Sequence, residues 1–218
     1  MKTKLALILL LYLNTLTAQN NSDFILRIGA AMPILEFANS QIDNKNIGGA
    51  MIGVNLGLKW ETTFRTGLGL FTATDIFYNS LTSDVRDEYE SILNPQDITY
   101  SKYINLPLTA GISYRFMPRK PTSVFTSLGL VGNYLLLTEF IFESDNEDLR
   151  VVFEPTPNFG FKFSGGIIID YDVEIEFSYY HLGKYNVAAA SVNSLGDYNI
   201  TSIKQKVDVI TLTLGVRF

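Results

Sequence analysis

Apolar and polar residues alternate one by one through stretch after stretch of this 218-residue chain. Only a β-strand turns such alternation into two chemically distinct faces, because its side chains point to opposite sides with period 2. The last seven residues show it without a break: Leu212, Leu214, Val216 and Phe218 share one face, and Thr213, Gly215 and Arg217 the other. Apolar residues make up 47 % of the chain, yet they are spread in alternation and not gathered in helical stripes, which directs the reading to an all-β fold.

Eight segments carry the pattern, approximately Asp23 to Met32, Gly49 to Trp60, Thr63 to Phe77, Tyr100 to Phe116, Thr122 to Glu143, Arg150 to Ile169, Val173 to Tyr185 and Lys206 to Phe218. Their connections alternate between short and long. Glu61-Thr62, Met117 to Pro121 and Asp170-Tyr171-Asp172 are short; Pro33 to Gly48, Tyr78 to Thr99, Ser144 to Leu149 and Asn186 to Gln205 are longer and mostly polar. In an up-and-down barrel every second connection lies at the same end, and barrels of the outer membrane keep short turns in the periplasm and long loops outside. A soluble sandwich has no reason to keep this rhythm. The expectation is an eight-stranded antiparallel up-and-down transmembrane β-barrel with long loops extracellular and both termini periplasmic.

Composition agrees with export. Met1 to Ala18 reads as a secretory signal, with Lys2 and Lys4 ahead of the apolar run Leu5 to Leu13 and the small-residue stretch Thr15 to Ala18, leaving residues 19–218 as the barrel. The apolar run falls short of the roughly 20 residues a spanning helix needs. There is no cysteine, so disulfides, thiolate metal sites and lipidation at the cut are excluded. Loss of Lys2 and Lys4 takes the formal charge from -5 to -7, which argues against nucleic acid as a partner.

The faces test the barrel. Ile52, Val54, Leu56, Leu58 and Trp60 oppose Gly53, Asn55, Gly57 and Lys59. Ile104, Leu106, Leu108, Ala110, Ile112, Tyr114 and Phe116 oppose Asn105, Pro107, Thr109, Gly111, Ser113 and Arg115. Period 2 alone does not say which face is inside, and a lipocalin-like barrel would turn the apolar face inward around a ligand. The lumen of eight strands is just wide enough for side chains to fill, and the polar rows are rich in glycine while the apolar rows carry the bulk, so the apolar face is read as facing lipid. Arg27, Lys59, Arg65, Arg115, Lys162, Arg217, Asp170, Glu174 and Glu176 then fall on the inward face, where charges must pair. They are expected to interlock as a structural ion-pair network, with a gated ion path as the alternative. Aromatics gather at the strand ends: Trp60, Phe64, Tyr114, Phe116, Tyr171 and Phe218 by the short turns, and Phe77, Tyr100, Tyr103, Tyr134, Phe140, Phe142, Tyr179 and Tyr185 towards the loops. Two interfacial girdles are what a bilayer selects.

Catalytic chemistry is sparse. The single histidine, His181, lies on an outward row; lipid A deacylases of the outer membrane place a serine two residues from their histidine, and here that position is Gly183. The acidic clusters Asp84, Asp87, Glu88, Glu90, Asp97 and Glu143, Asp145, Glu147, Asp148 could hold Ca²⁺, but neither has the glycine and spacing of an EF-hand loop. Ser83 to Leu93 carries Val85, Tyr89 and Ile92 at helical spacing inside the long loop.

Three short motifs carry a family resemblance: Thr17-Ala18-Gln19 at the cut, Tyr103-Ile104-Asn105-Leu106-Pro107-Leu108 in the fourth strand, and the terminal Phe218. On these the chain resembles the outer-membrane β-barrel families of the Bacteroidetes, PorT-like and OmpA-like. The resemblance implies a Gram-negative cell-envelope protein of a kind mostly without known enzyme function, with no catalytic residues to carry over; no enzyme activity and no cofactor are expected. Its partners would be outer-membrane lipid, other envelope proteins and the barrel-insertion machinery, with Phe218 as the assembly signal. Its role would be structural, surface-interacting or envelope-assembling. A narrow pore for ions or small solutes is the alternative, and a lipid-modifying enzyme a third.

Overall fold

The computed structural model describes residues 21–40, 48–93, 97–100, 102–138, 140–143, 148–151, 156–192 and 198–218; the expected signal segment 1–18 lies outside them. In chain order the elements are β1 (Asn21–Ile34), a 3-10 turn (Leu35–Phe37), β2 (Gly53–Thr63), β3 (Leu68–Asn79), α1 (Ser83–Leu93), β4 (Asp97–Thr99), β5 (Tyr103–Phe116), β6 (Ser123–Leu137), β7 (Phe140–Glu143), β8 (Asp148–Val151), β9 (Thr156–Ile169), β10 (Val173–Val192) and β11 (Tyr198–Arg217). Eight of them close into a barrel in the order β1-β11-β10-β9-β6-β5-β3-β2, and β4, β7 and β8 form a separate three-stranded sheet. Every barrel pair is antiparallel and joins strands that follow one another around the wall. This is the eight-stranded up-and-down barrel that the alternation and the loop rhythm called for.

Closure runs from Ile25↔Arg217 to Ile34↔Asp208, and Phe218 extends it by exchanging backbone hydrogen bonds with Phe24 (3.1 and 2.8 Å). The wall is inverted relative to a soluble protein. Ile52, Val54, Leu56, Leu58, Trp60, Leu108, Phe159, Phe163, Phe177, Leu212, Leu214 and Phe218 are exposed on the outside, Phe159 to 83 %. Asn55, Lys59, Asn105, Thr109, Lys162, Ser164, Glu174, Glu176, Thr211 and Thr213 are buried inside. Among the described residues no helix is long and apolar enough to cross a membrane.

Four expectations change. The first reversal is not at Glu61-Thr62: β2 runs on to Thr63, and the turn is Phe64 to Gly67, where Gly67 takes a φ of +89° and its N–H donates to the Phe64 carbonyl (2.9 Å). Arg65 therefore sits exposed at the turn tip and not on the inward face. Asp170 is likewise not in the lumen. It turns the chain between β9 and β10 in a three-residue connection, with φ of 52° at Asp170 and 68° at Tyr171, the pair of left-handed residues of a type I′ turn that the Asp172 N–H closes on the Ile169 carbonyl (3.2 Å). Third, the stretch 186–205 is mostly not a loop, because β10 and β11 stay paired up to Val192↔Tyr198 and rise as a long hairpin. Conversely, the expected fifth strand stops at Leu137, and its far end, Phe140–Glu143, leaves the barrel to pair with β4 and β8. Fourth, Phe77, Tyr103 and Tyr185 are not girdle residues; all three are buried inside.

They are inside because the upper lumen is apolar. Ala31, Phe77, Val131, Leu135, Tyr180, Leu182, Tyr185, Val207 and Val209 from the wall pack against Phe37 of the 3-10 turn, Leu81 just ahead of α1, and Val85 of α1. Phe37 meets Tyr103 edge-on at 5.0 Å, and Phe77 meets Tyr180 in the same way at 5.0 Å. The helix expected at Ser83 to Leu93 thus has a purpose: Val85 turns into the barrel mouth while Asp84, Arg86, Asp87 and Glu90 stay in solvent.

Candidate functional site

Below the Phe77–Tyr180 pair the lumen is ionic. At its centre stands Glu176 of β10. Its Oε1 accepts from Arg27 Nη1 (2.9 Å), Lys162 Nζ (2.6 Å) and Ser178 Oγ (2.8 Å), and its Oε2 accepts from Lys59 Nζ (3.3 Å). The other arm of Arg27 grips both oxygens of Asp75 (2.8 and 2.9 Å), which also takes the Tyr180 hydroxyl (2.8 Å). One layer down, Lys59 donates to Glu174 Oε1 (2.5 Å) and Arg217 to Glu174 Oε2 (2.5 Å). At the floor, Arg217 and Arg115 share Asp23 (2.5 and 3.6 Å) and Glu61 (3.4 and 3.7 Å), and Ser113 Oγ donates to Glu61 Oε1 (2.5 Å).

Among the described residues this network matches five cations, Arg27, Lys59, Arg115, Lys162 and Arg217, with five carboxylates, Asp23, Glu61, Asp75, Glu174 and Glu176. Balance is what a low-dielectric interior demands, since an unpaired buried charge is far costlier than a paired one. Aromatic faces complete the shell, with Lys59 over Phe125 (4.8 Å) and Lys162 over Tyr180 (5.0 Å). Seven of the eight wall strands contribute a charged residue and β6 the Phe125 ring, so the network also staples the barrel across its diameter.

Seven of the nine inward charges expected from period 2 are here, the two exceptions being Arg65 and Asp170. Asp23, Glu61 and Asp75 were not singled out by sequence. Two of them had a signal: Asp23 lies in step with Ile25 and Arg27, and Glu61 continues the Gly57-Lys59 row. A tally with six inward cations against three anions also required further carboxylates. Asp75 gave less away, because its row, Phe71-Ala73-Asp75-Phe77, is mostly apolar.

On the outer wall, His181 and Asp208 are cross-strand partners, with Nδ1 of the imidazole 2.7 Å from Asp208 Oδ1. The Tyr179 hydroxyl donates to the same oxygen (2.7 Å), Lys206 Nζ lies 3.3 Å from Oδ2, and the Phe161 ring lies against the imidazole at 5.3 Å. Among the described residues no serine hydroxyl contacts His181, and Gly183 serves instead in the bulge that follows, at a φ of +91°. In the loops, the Tyr100 hydroxyl donates to Glu90 (3.0 Å), and partial burial together with that bond holds the phenol above its ordinary pKa. Of the two acidic clusters, Asp145 and Glu147 lie outside the described residues, and no metal-holding group of His, Asp or Glu occurs among those described.

No family model and no curated protein sequence matches the chain. Among solved structures it is similar to a major outer membrane protein of Thermus thermophilus (10 % identity, 91 % of this chain and 100 % of that one, TM-score 0.51). It is similar to the outer membrane protein OprG of Pseudomonas aeruginosa (16 % identity, 92 % and 97 %, TM-score 0.51). The attachment invasion locus protein Ail of Yersinia pestis, solved in complex with the heparin analogue sucrose octasulfate, aligns at 16 % identity over 91 % of this chain and 99 % of its own, with a TM-score of 0.47. At such identities the likeness concerns the fold, which is that of the eight-stranded outer-membrane barrels.

Proposed function

We propose that the chain is a non-enzymatic integral barrel of the bacterial outer membrane, a structural or surface-interaction component whose work is done at its loops and not through its lumen. The observation that carries this reading is the double filling of the interior, ionic below and apolar above, where Val85 of α1 and Phe37 of the 3-10 turn enter the barrel mouth. An exposed apolar wall around a polar interior is stable only where lipid replaces water outside. Affiliation with the PorT-like families rests on the three sequence motifs, as does an association with other envelope proteins.

Orientation follows from insertion: the short turns, with β1 beginning and β11 ending beside them, face the periplasm. Protease added to intact cells is expected to cut within 80–102 or at the tip of the β10–β11 hairpin and to spare 117–122. Cutting only after the envelope is broken would reverse the orientation or place the protein elsewhere.

Phe218 ends the outward row of β11, 76 % exposed, beside the closing seam. As the residue read by the insertion machinery, it matters for assembly more than for stability. A Phe218 deletion is expected to cut outer-membrane levels several-fold while the refolded barrel loses only the Phe218–Phe24 bonds, about 1 kcal/mol each. Wild-type levels in the membrane fraction would remove the assembly role.

A further inference from the structure

Among the described residues a basic patch stands on the outer wall where the apolar band gives out. Above the His181/Lys184 bulge, Lys184 pairs directly with Lys206, and Asn186 pairs with Lys204. Lys184, Asn186 and Lys204 are exposed and Lys206 is half-buried, whereas Tyr185, Gln205 and Val207 between them are buried in the lumen, so the three lysines share the outward face. From Phe218 to Lys206 a strand rising about 3.3 Å per residue and tilted by 35–45° climbs roughly 30 Å, just past an apolar band about 25 Å tall. That is the level of the far headgroups. Directly beneath lie Tyr179 and Phe161, an aromatic step of the kind found at that depth.

Two ammonium groups placed directly across a strand pair repel each other. Among the described residues the nearby carboxylate is Asp208, buried beneath and already engaged by His181, Tyr179 and Lys206, and no acid pairs with Lys184 or Lys204. On the neighbouring strand β9 the outward residues at this height, Phe159 and Phe161, are apolar. On the other side, Glu36 of the 3-10 turn forms no ion pair with these lysines. We propose that Lys184, Lys204 and Lys206, with His181 below them, bind the phosphate-bearing headgroup of an anionic lipid of the outer leaflet. Its phosphate bridges the facing lysines, and its acyl chains run down over Phe161, Phe163 and Phe177. The binding fixes the height of the β10–β11 hairpin in the membrane.

This inference rests on the outer-membrane reading, and one experiment separates the two. The mature barrel is folded into nanodiscs of phosphatidylcholine with a minor fraction of phosphatidylglycerol or of lipid A, and the lipids retained are measured by native mass spectrometry. Wild-type protein is expected to enrich the anionic lipid about ten-fold or more over its share of the disc. The triple change Lys184→Gln/Lys204→Gln/Lys206→Gln is expected to abolish the enrichment, and Lys→Arg at the same positions to restore it. Lys184→Gln alone, at an exposed position, is expected to weaken it. Equal retention by the wild type and the triple Gln variant overturns the proposal, as does retention that inorganic phosphate at millimolar concentration removes, which would mark a site for the free anion. Failure of every form to enter a bilayer would overturn the outer-membrane reading itself.

Discussion

Changing Glu176 to Gln is expected to be among the most destabilising single substitutions in this barrel. The carboxylate takes hydrogen bonds from Arg27, Lys59, Lys162 and Ser178, all deep in the lumen, and an amide of the same shape cannot balance three cations. Leaving buried charge without its partner costs about 3 to 5 kcal/mol. Urea titration of the barrel in micelles, read by the mobility difference between folded and unfolded protein on gels, should show the midpoint fall accordingly. Glu174→Gln should act in the same direction through Lys59 and Arg217. An unchanged midpoint for both would mean that the two carboxylates are solvated and the register of β10 is wrong.

The upper layer should be equally sensitive, and to a different chemistry. Phe77 is fully buried and packs edge-on against Tyr180 at the boundary between the apolar plug and the ionic layer. Phe77→Ala is expected to cost about 3 to 5 kcal/mol, the cost of removing a buried aromatic and leaving a cavity. Its neighbours in the chain point into lipid, so Ile76→Ala supplies the control: the lost packing there is against acyl chains that refill the space, and the expected effect is about 1 kcal/mol. Equal and small effects at both positions would return Phe77 to the girdle, where the sequence alone had put it.

That misplacement shows what was legible. The alternation in β2, β5 and β9, and in Val173 to Tyr179 of β10 and Ile210 to Arg217 of β11, assigned lipid and lumen faces correctly because one face in each is apolar almost throughout. In β3 both faces carry apolar and polar residues, since the inward row runs from Phe77 of the plug through Asp75 to Ala73 and Phe71 beside the ionic layer. Period 2 loses its contrast there. The upper lumen was unforeseen for the same reason: Val131, Leu135, Val207 and Val209 are apolar on an inward row, and only the arrival of Phe37 and Val85 from the connections makes that burial favourable. Contacts between a long connection and the barrel mouth have no sequence period. Arg65 and Asp170 failed at turns, where a shift of two or three residues decides whether a charge lies in the lumen or at a tip. Helix α1 was legible because its spacing is local.

A barrel filled at two levels, ionic below and apolar above, is expected not to conduct. Planar-bilayer recording of the purified, folded protein in molar potassium chloride tests it most directly. The expected result is a baseline indistinguishable from lipid alone, for the wild type and also for Glu176→Gln, because the apolar layer of Phe77, Tyr180, Leu182, Val207 and Val209 remains in place above the disturbed network. Reproducible unit steps in the wild-type recordings, scaling with protein added, would contradict it and establish a pore.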